Sequence, residues 1–214
     1  MLVSANGNSI NPLIHAINMK VPELKVFAYL AFIMPVFFAV MWIMSATIDG
    51  HWTFGVNSLS DMGISDNAVS AFLFNFACIF TGLFGAVIGF GSVAYGRRTI
   101  KAAGILYIIS MLFLSLVGVF TLHSPLHFFV ASSYGVFITL SLLVTSVSDW
   151  KLSWYFYLDL VIIVGGLIVV LTQEFAVWEA IMVIAALIWT LVIGYKMIIR
   201  EETLYSEEPS FKIL

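Results

Sequence analysis

The sequence predicts an all-α polytopic membrane protein, a bundle of six transmembrane helices with both termini in the cytoplasm. Three observations carry that reading. Hydrophobic residues make up 62% of the 214-residue chain and charged residues 10%, with a mean hydropathy of +1.07, well outside the range of soluble domains. Six apolar stretches each approach the ~20 residues that a helix needs to cross a hydrocarbon core about 30 Å thick. The basic residues fall on alternate connections only, and Lys and Arg near span ends stay on the cytoplasmic side. No strand-like alternation of a membrane barrel is present, so helices, which satisfy their own backbone in lipid, are the spanning elements.

The elements follow in order. Residues 1–24 form a cytoplasmic segment in which "NPLIHAINMK" places Asn11 as a helix cap, Pro12 in the first turn and Leu13, Ile14, Ile17 and Met19 as apolar positions. This predicts a short interfacial helix, with His15 on its surface. The transmembrane domain is residues 25–199, and residues 200–214 are an acidic, flexible cytoplasmic tail. The first span, Lys25–Thr47, is too long and begins too late for a cleaved signal peptide and reads as a signal anchor; Pro35 inside it predicts a bend. The second, Ala68–Tyr95, carries Ala71, Asn75, Cys78, Gly82, Gly85 and Gly89 on one face. Small residues there let another helix approach closely, within the chain or in a second copy, so a homo-oligomer is one expected partner arrangement. Asn75 on that face needs a hydrogen-bond partner, a neighbouring helix or a ligand. A single cysteine, Cys78, excludes an internal disulfide framework.

The third span, Ile100–Leu122, begins after Arg97 and Arg98. Before the fourth, Pro125–Val147, stands "HSPLH". Ser124 as cap and Pro125 as first helical residue leave His123 ahead of the helix and His127 in its first turn. Asp159, about 9 Å into the fifth span, Ser153–Thr172, is costly in lipid unless paired, and Lys196 in the sixth span, Ala176–Ile199, lies at a matching depth. An ion pair between them, or a tyrosine partner for Asp159, is expected.

The three loops on the opposite, outer side carry no Lys or Arg but collect acids and three of the four histidines. The stretch "NSLSDMG", from Asn57 to Gly63, is the polar centre of that face. Turn chemistry accounts for much of it: Gly63 can take a positive φ, Ser60 and Asp61 can cap local N–H groups, and Ser65 or Asp66 can cap the second span. A ligand pocket of Ser60, Asp61, Asn75 and His127 is the second use. A divalent metal held by Asp61, His123 and His127 is a third, and with an open coordination position it would support hydrolysis of lipid.

The stretch "SLSDMG…SAFLFN…GL", followed later by "HFFVASSYGVF", resembles a prokaryotic family of six-span membrane proteins defined as a domain of unknown function, allied to the eukaryotic group typified by the damage-regulated autophagy modulator and its Frag and Sfk relatives. The matching positions are Ser60, Asp61 and Gly63 in the turn, Phe74 and Asn75 in the second span, and His127. The eukaryotic group has Pro-Tyr-Ile before its Ser-Asp where this chain has Asn57, Ser58 and Leu59, and His123 matches no family position. The resemblance implies a role with membrane lipids in the cell membrane and no established catalysis.

The resulting expectation is a multi-pass plasma-membrane protein that binds a lipid head group or small polar ligand at an outer pocket without catalysing a reaction. A metal-dependent lipid hydrolase is the alternative, and a transporter or channel a minor one, since no inverted repeat or matched pair of broken spans is visible. Membrane lipids are the expected partners. No basic patch suited to nucleic acid is present.

Overall fold

Six apolar helices follow one another with short connections: α1 Leu24–Asp49, α2 Ala68–Tyr95, α3 Arg98–Val119, α4 His127–Asp149, α5 Ser153–Thr172 and α6 Phe175–Ile199, with a 3-10 helix, Leu59–Ile64, between α1 and α2. The computed structural model describes residues 22–199, 204–206 and 210. The expected interfacial helix with Asn11, Pro12 and His15 lies outside the described residues. All six helices are long and apolar enough to cross a membrane, and no β-strand forms among the described residues. Each helix packs on the next and α6 returns to α1, closing a ring. The protein is a polytopic membrane protein.

Between α2 and α3 the expected small-residue face is in use. A Cβ on Gly82 would stand 2.3 Å from Ser115 Oγ and 2.4 Å from the Met111 carbonyl oxygen, and one on Gly118 would stand 2.4 Å from the Asn75 carbonyl oxygen. Ser115 Oγ donates to the Ile79 carbonyl across the pair at 3.1 Å. In lipid no hydrophobic gain drives helices together, so this close approach and its hydrogen bonds hold the pair. The glycine face of α2 is thereby covered by α3 of the same chain. On its other side α2 is tied to α1 by a reciprocal pair: Ser45 Oγ donates to the Ser70 carbonyl and Ser70 Oγ to the Ser45 carbonyl, each at 2.9 Å. α1 continues through Pro35 as one helix.

The helix boundaries agree with the sequence reading to within three residues, α3 running Arg98–Val119 rather than Ile100–Leu122, and the difference that bears on the site is at α4. Ser124 and Pro125 form a turn rather than the helix start: Ser124 Oγ accepts from the Leu126 N–H at 3.2 Å and the Ser124 carbonyl from the His127 N–H at 3.1 Å. α4 therefore starts at His127, and its first side chain points inward and is buried.

α5 is the most loosely seated helix. Among its side chains that are described, only Tyr155 and Asp159 are buried, with Gly166 approaching Met182 of α6. At the same end as the α4–α5 connection, part of the expected flexible tail is fixed. The Arg97 N–H donates to the Leu204 carbonyl, and the N–H groups of Ser206 and Ser210 donate to the Tyr95 and Ala94 carbonyls, at 2.7, 2.8 and 2.8 Å. Those carbonyls close α2, where helix ends leave acceptors without internal donors. Leu204 and Tyr205 are buried by this strap.

Lys196 departs from the predicted pairing. It forms an ion pair with Asp149, at the end of α4, rather than with Asp159. Matching depth along two helices says nothing of how each is rotated, and α4 supplies a carboxylate at the same level.

Candidate functional site

The polar stretch between α1 and α2 is anchored at both ends. Ser58 and Asp61 form a capping box on the 3-10 helix: Asp61 Oδ2 accepts from the Ser58 N–H at 2.7 Å, and Ser58 Oγ accepts from the Asp61 N–H at 3.2 Å. Asn67, not Ser65 or Asp66, caps α2, with Oδ1 accepting from the Val69 N–H at 3.1 Å. Ser65 instead donates its hydroxyl to Asp49. Trp52 Nε1 donates to the Ser58 carbonyl at 2.8 Å, folding the connection back on itself.

Gly63 has an ordinary negative φ; among the described residues the positive-φ glycines are Gly50 and Gly55. What Gly63 supplies is room. A Cβ there would lie 2.7 Å from Asn75 Oδ1, and Asn75 Nδ2 donates to the Gly63 carbonyl at 2.9 Å. Asn75 thus meets its need for a partner by clamping the 3-10 helix onto α2.

Ser60 does none of this capping. Its hydroxyl points away from the turn, 2.9 Å from Glu179 Oε1 of α6 and 3.2 Å from His127 Nε2 of α4. The other oxygen of Glu179 accepts from the Leu59 N–H at 2.6 Å. His127 Nδ1 lies 2.7 Å from the Phe120 carbonyl oxygen, which can only accept, so Nδ1 carries a proton. Ser60 and His127 are buried and Glu179 is half-buried. Three separate elements, α4, α6 and the 3-10 helix, meet through one hydroxyl.

Two proton arrangements satisfy every atom of this chain. In one, Glu179 is ionised, Ser60 donates to it, and a doubly protonated His127 donates to Ser60. In the other, Glu179 is protonated and donates to Ser60, which donates to a neutral His127. Both are neutral overall and differ by two protons shifted through the Ser60 hydroxyl. Either lets a carboxyl group sit within the first turns of a spanning helix.

The group closes one end of a cavity of about 780 Å³. Its floor is apolar, built from Phe38 of α1, Phe74 and Cys78 of α2, and Leu114 and Val117 of α3. α4 and α6 form its sides, and α4 lines it from His127 to Leu140, about 20 Å of helix. Phe128, Val136, Leu140, Val170 and Phe175 line the cavity yet remain exposed, so its outer wall faces the surrounding lipid. The volume falls within the range of small-molecule sites, and apolar walls with a few convergent polar groups are their usual composition.

Of the four side chains expected to share a ligand pocket, Ser60 and His127 line this cavity, while Asp61 and Asn75 do not. Asp61 instead lines a separate polar cleft of about 650 Å³ with Asp49, His51, Trp52, Asn57 and Asp66. The metal set is also divided: His123 is exposed on the turn before α4, His127 is buried with both ring nitrogens engaged, and Asp61 is in its capping box. Among the described residues no three His, Cys, Asp or Glu side chains come together as metal ligands.

Glu179 is the site residue the sequence reading left unassigned. The signal was available, since it is the sole acidic residue of α6 and lies about 6 Å along that helix, and an ionisable residue inside a span is a functional candidate by default.

No curated protein and no solved structure matches the chain. The family model described as "Protein of unknown function (DUF998)" matches residues 32–196, which takes in all of the residues that build the cavity and its polar end, and the chain belongs to that family.

Proposed function

We propose that this protein binds one amphiphilic lipid molecule, its acyl chain along the cavity and its polar group against Ser60, His127 and Glu179. The observation that carries the reading is the joining of a long apolar cavity, open toward lipid, to a single hydrogen-bonded polar end. A hydroxyl or amine on the lipid can donate to Glu179 and accept from, or donate to, Ser60 and His127; a chain with no polar group would leave those side chains facing hydrocarbon. Asp61 and Asn75 act one step back, holding the 3-10 helix so that Ser60 faces the cavity. With the termini cytoplasmic, as the basic residues predict, the polar end lies at the outer leaflet. The resemblance to the lipid-associated group of the damage-regulated autophagy modulator points the same way, and no reaction is required.

Native mass spectrometry of the full chain released from mild detergent tests this. One bound amphiphile per chain is expected for the wild type, and none for Ala131→Trp, which places an indole in the cavity from α4. Equal occupancy of the two proteins, or none in either, contradicts the proposal.

A further inference from the structure

At the end of the bundle opposite the 3-10 helix, where α4 ends, α5 begins and α6 ends, three ionisable side chains are buried together. Lys196 is 1% exposed, and Asp149 and Asp159 are each 0% exposed. Lys196 is ion-paired with Asp149 Oδ2, and its ammonium lies 4.8 Å from the centre of the Tyr155 ring. Among the described residues no donor reaches Asp149 Oδ1 or either oxygen of Asp159. The two carboxyl groups nevertheless lie within hydrogen-bonding reach of one another.

The groups facing this cluster are Asp149 from α4, Asp159 and Tyr155 from α5, Lys196 from α6 and, on the side of Asp149, Tyr205 from the C-terminal strap. Burial holds the Tyr205 phenol above its ordinary pKa, so it contributes no charge. Two carboxylates against one ammonium leave a net negative charge, with three acceptor atoms lacking donors in an apolar interior. That is the most costly arrangement the residues allow, and isolated buried charges normally neutralise. A single proton removes the excess charge and turns two of the three unpartnered oxygens into a hydrogen-bonded pair, as a carboxylic acid donating to a carboxylate.

We propose that Asp149, Lys196 and Asp159 form a proton-binding site that holds one proton shared between the two aspartates. A metal ion is a poor alternative occupant, because the ammonium of Lys196 already fills the cation position and no three-ligand group is present among the described residues. The site also has a mechanical consequence. Asp159 and Tyr155 are the buried side chains that seat α5, so the proton fastens this helix to the bundle, and its loss places unbalanced charge beneath it. α5 contributes Val170 to the outer wall of the lipid-facing cavity, which ties the seating of that wall to the proton.

Infrared spectroscopy of the full wild-type chain at neutral pH tests the proposal without any substitution. A protonated carboxyl has a C=O stretch that a carboxylate lacks, and aspartate labelled with ¹³C at the side-chain carboxyl moves that band while leaving any contribution from Glu179. A band that shifts with labelled aspartate is expected, and its absence overturns the proposal. Charge counting then predicts the variants: the band is lost in Asp159→Asn and in Asp149→Asn, where one carboxylate balances one ammonium, and doubles in Lys196→Met. A band unchanged in both asparagine variants, or one that emerges only when sodium and potassium are replaced by N-methylglucamine, overturns it in favour of another proton holder or an alkali cation.

Discussion

Gly63 and Asn75 show how a residue's chemistry fixes its role. Adding a methyl group at Gly63 brings it to 2.7 Å from Asn75 Oδ1, so Gly63→Ala must displace the amide and break its hydrogen bond to the Gly63 carbonyl. We expect a loss of about 1 kcal/mol, the usual net worth of such a bond. Asn75→Ala should cost a similar amount, and the double variant no more than Asn75→Ala alone, because the amide that clashes is gone. Thermal unfolding in detergent, compared across the cycle, checks this; additive losses would show that the two residues act separately. The sequence made the need for an Asn75 partner legible, since an amide inside a span cannot remain unpaired. It did not reveal that the partner is a backbone carbonyl twelve positions away, nor that Gly63 is there for space rather than φ. Ser60 and Glu179 are farther from the reach of sequence reasoning: their contact joins positions 119 residues apart, and only the rotation of α6 brings them together. The polar cluster itself was visible; its division into a capping half, Ser58 and Asp61, and a cavity-facing half, Ser60, was not.

Among the elements, α2 and α3 form the tightest pair and α5 the loosest, and substitutions should grade accordingly. Gly82→Val directs atoms at the backbone of Met111, where nothing flexible can yield, and should destabilise by about 2 kcal/mol or more as the helices separate. Gly165→Ala, where a Cβ meets nothing within 4 Å, should instead be neutral or stabilise by about 0.5–1 kcal/mol through helix propensity alone. Denaturation of both variants in the same detergent checks the contrast; equal effects would contradict the packing described. The helices and the glycine face of α2 were legible because length, hydropathy and spacing are one-dimensional properties. The sequence places the start of α4 two residues early because Ser124 caps a turn by the same hydrogen-bonding chemistry with which it would cap a helix. Lys196 pairs with Asp149 rather than Asp159 for a related reason: Asp149 closes α4 beside the polar connection, where sequence gives no sign that it turns inward.

For the whole molecule, six spans and the one-sided distribution of Lys and Arg predict that the 3-10 helix faces outward. A membrane-impermeant maleimide applied to intact cells should label Asp66→Cys, whereas Lys151→Cys should react only after permeabilisation; the reverse pattern would place the termini outside. Both positions are exposed, and the native Cys78 is buried, so the background is low. The bundle's architecture leaves a cavity of about 780 Å³ between α4 and α6, with α5 lightly seated on its rim, and at the polar end of that cavity α4, α6 and the 3-10 helix meet through side-chain hydrogen bonds. Titrating 1-monooleoylglycerol into the purified full chain tests the site directly: saturable binding of one molecule per chain is expected in the wild type, and binding weaker by about tenfold or more when Ser60→Ala and Glu179→Gln are combined; no saturable binding by the wild type, or equal affinity in the double variant, would contradict lipid binding at this site.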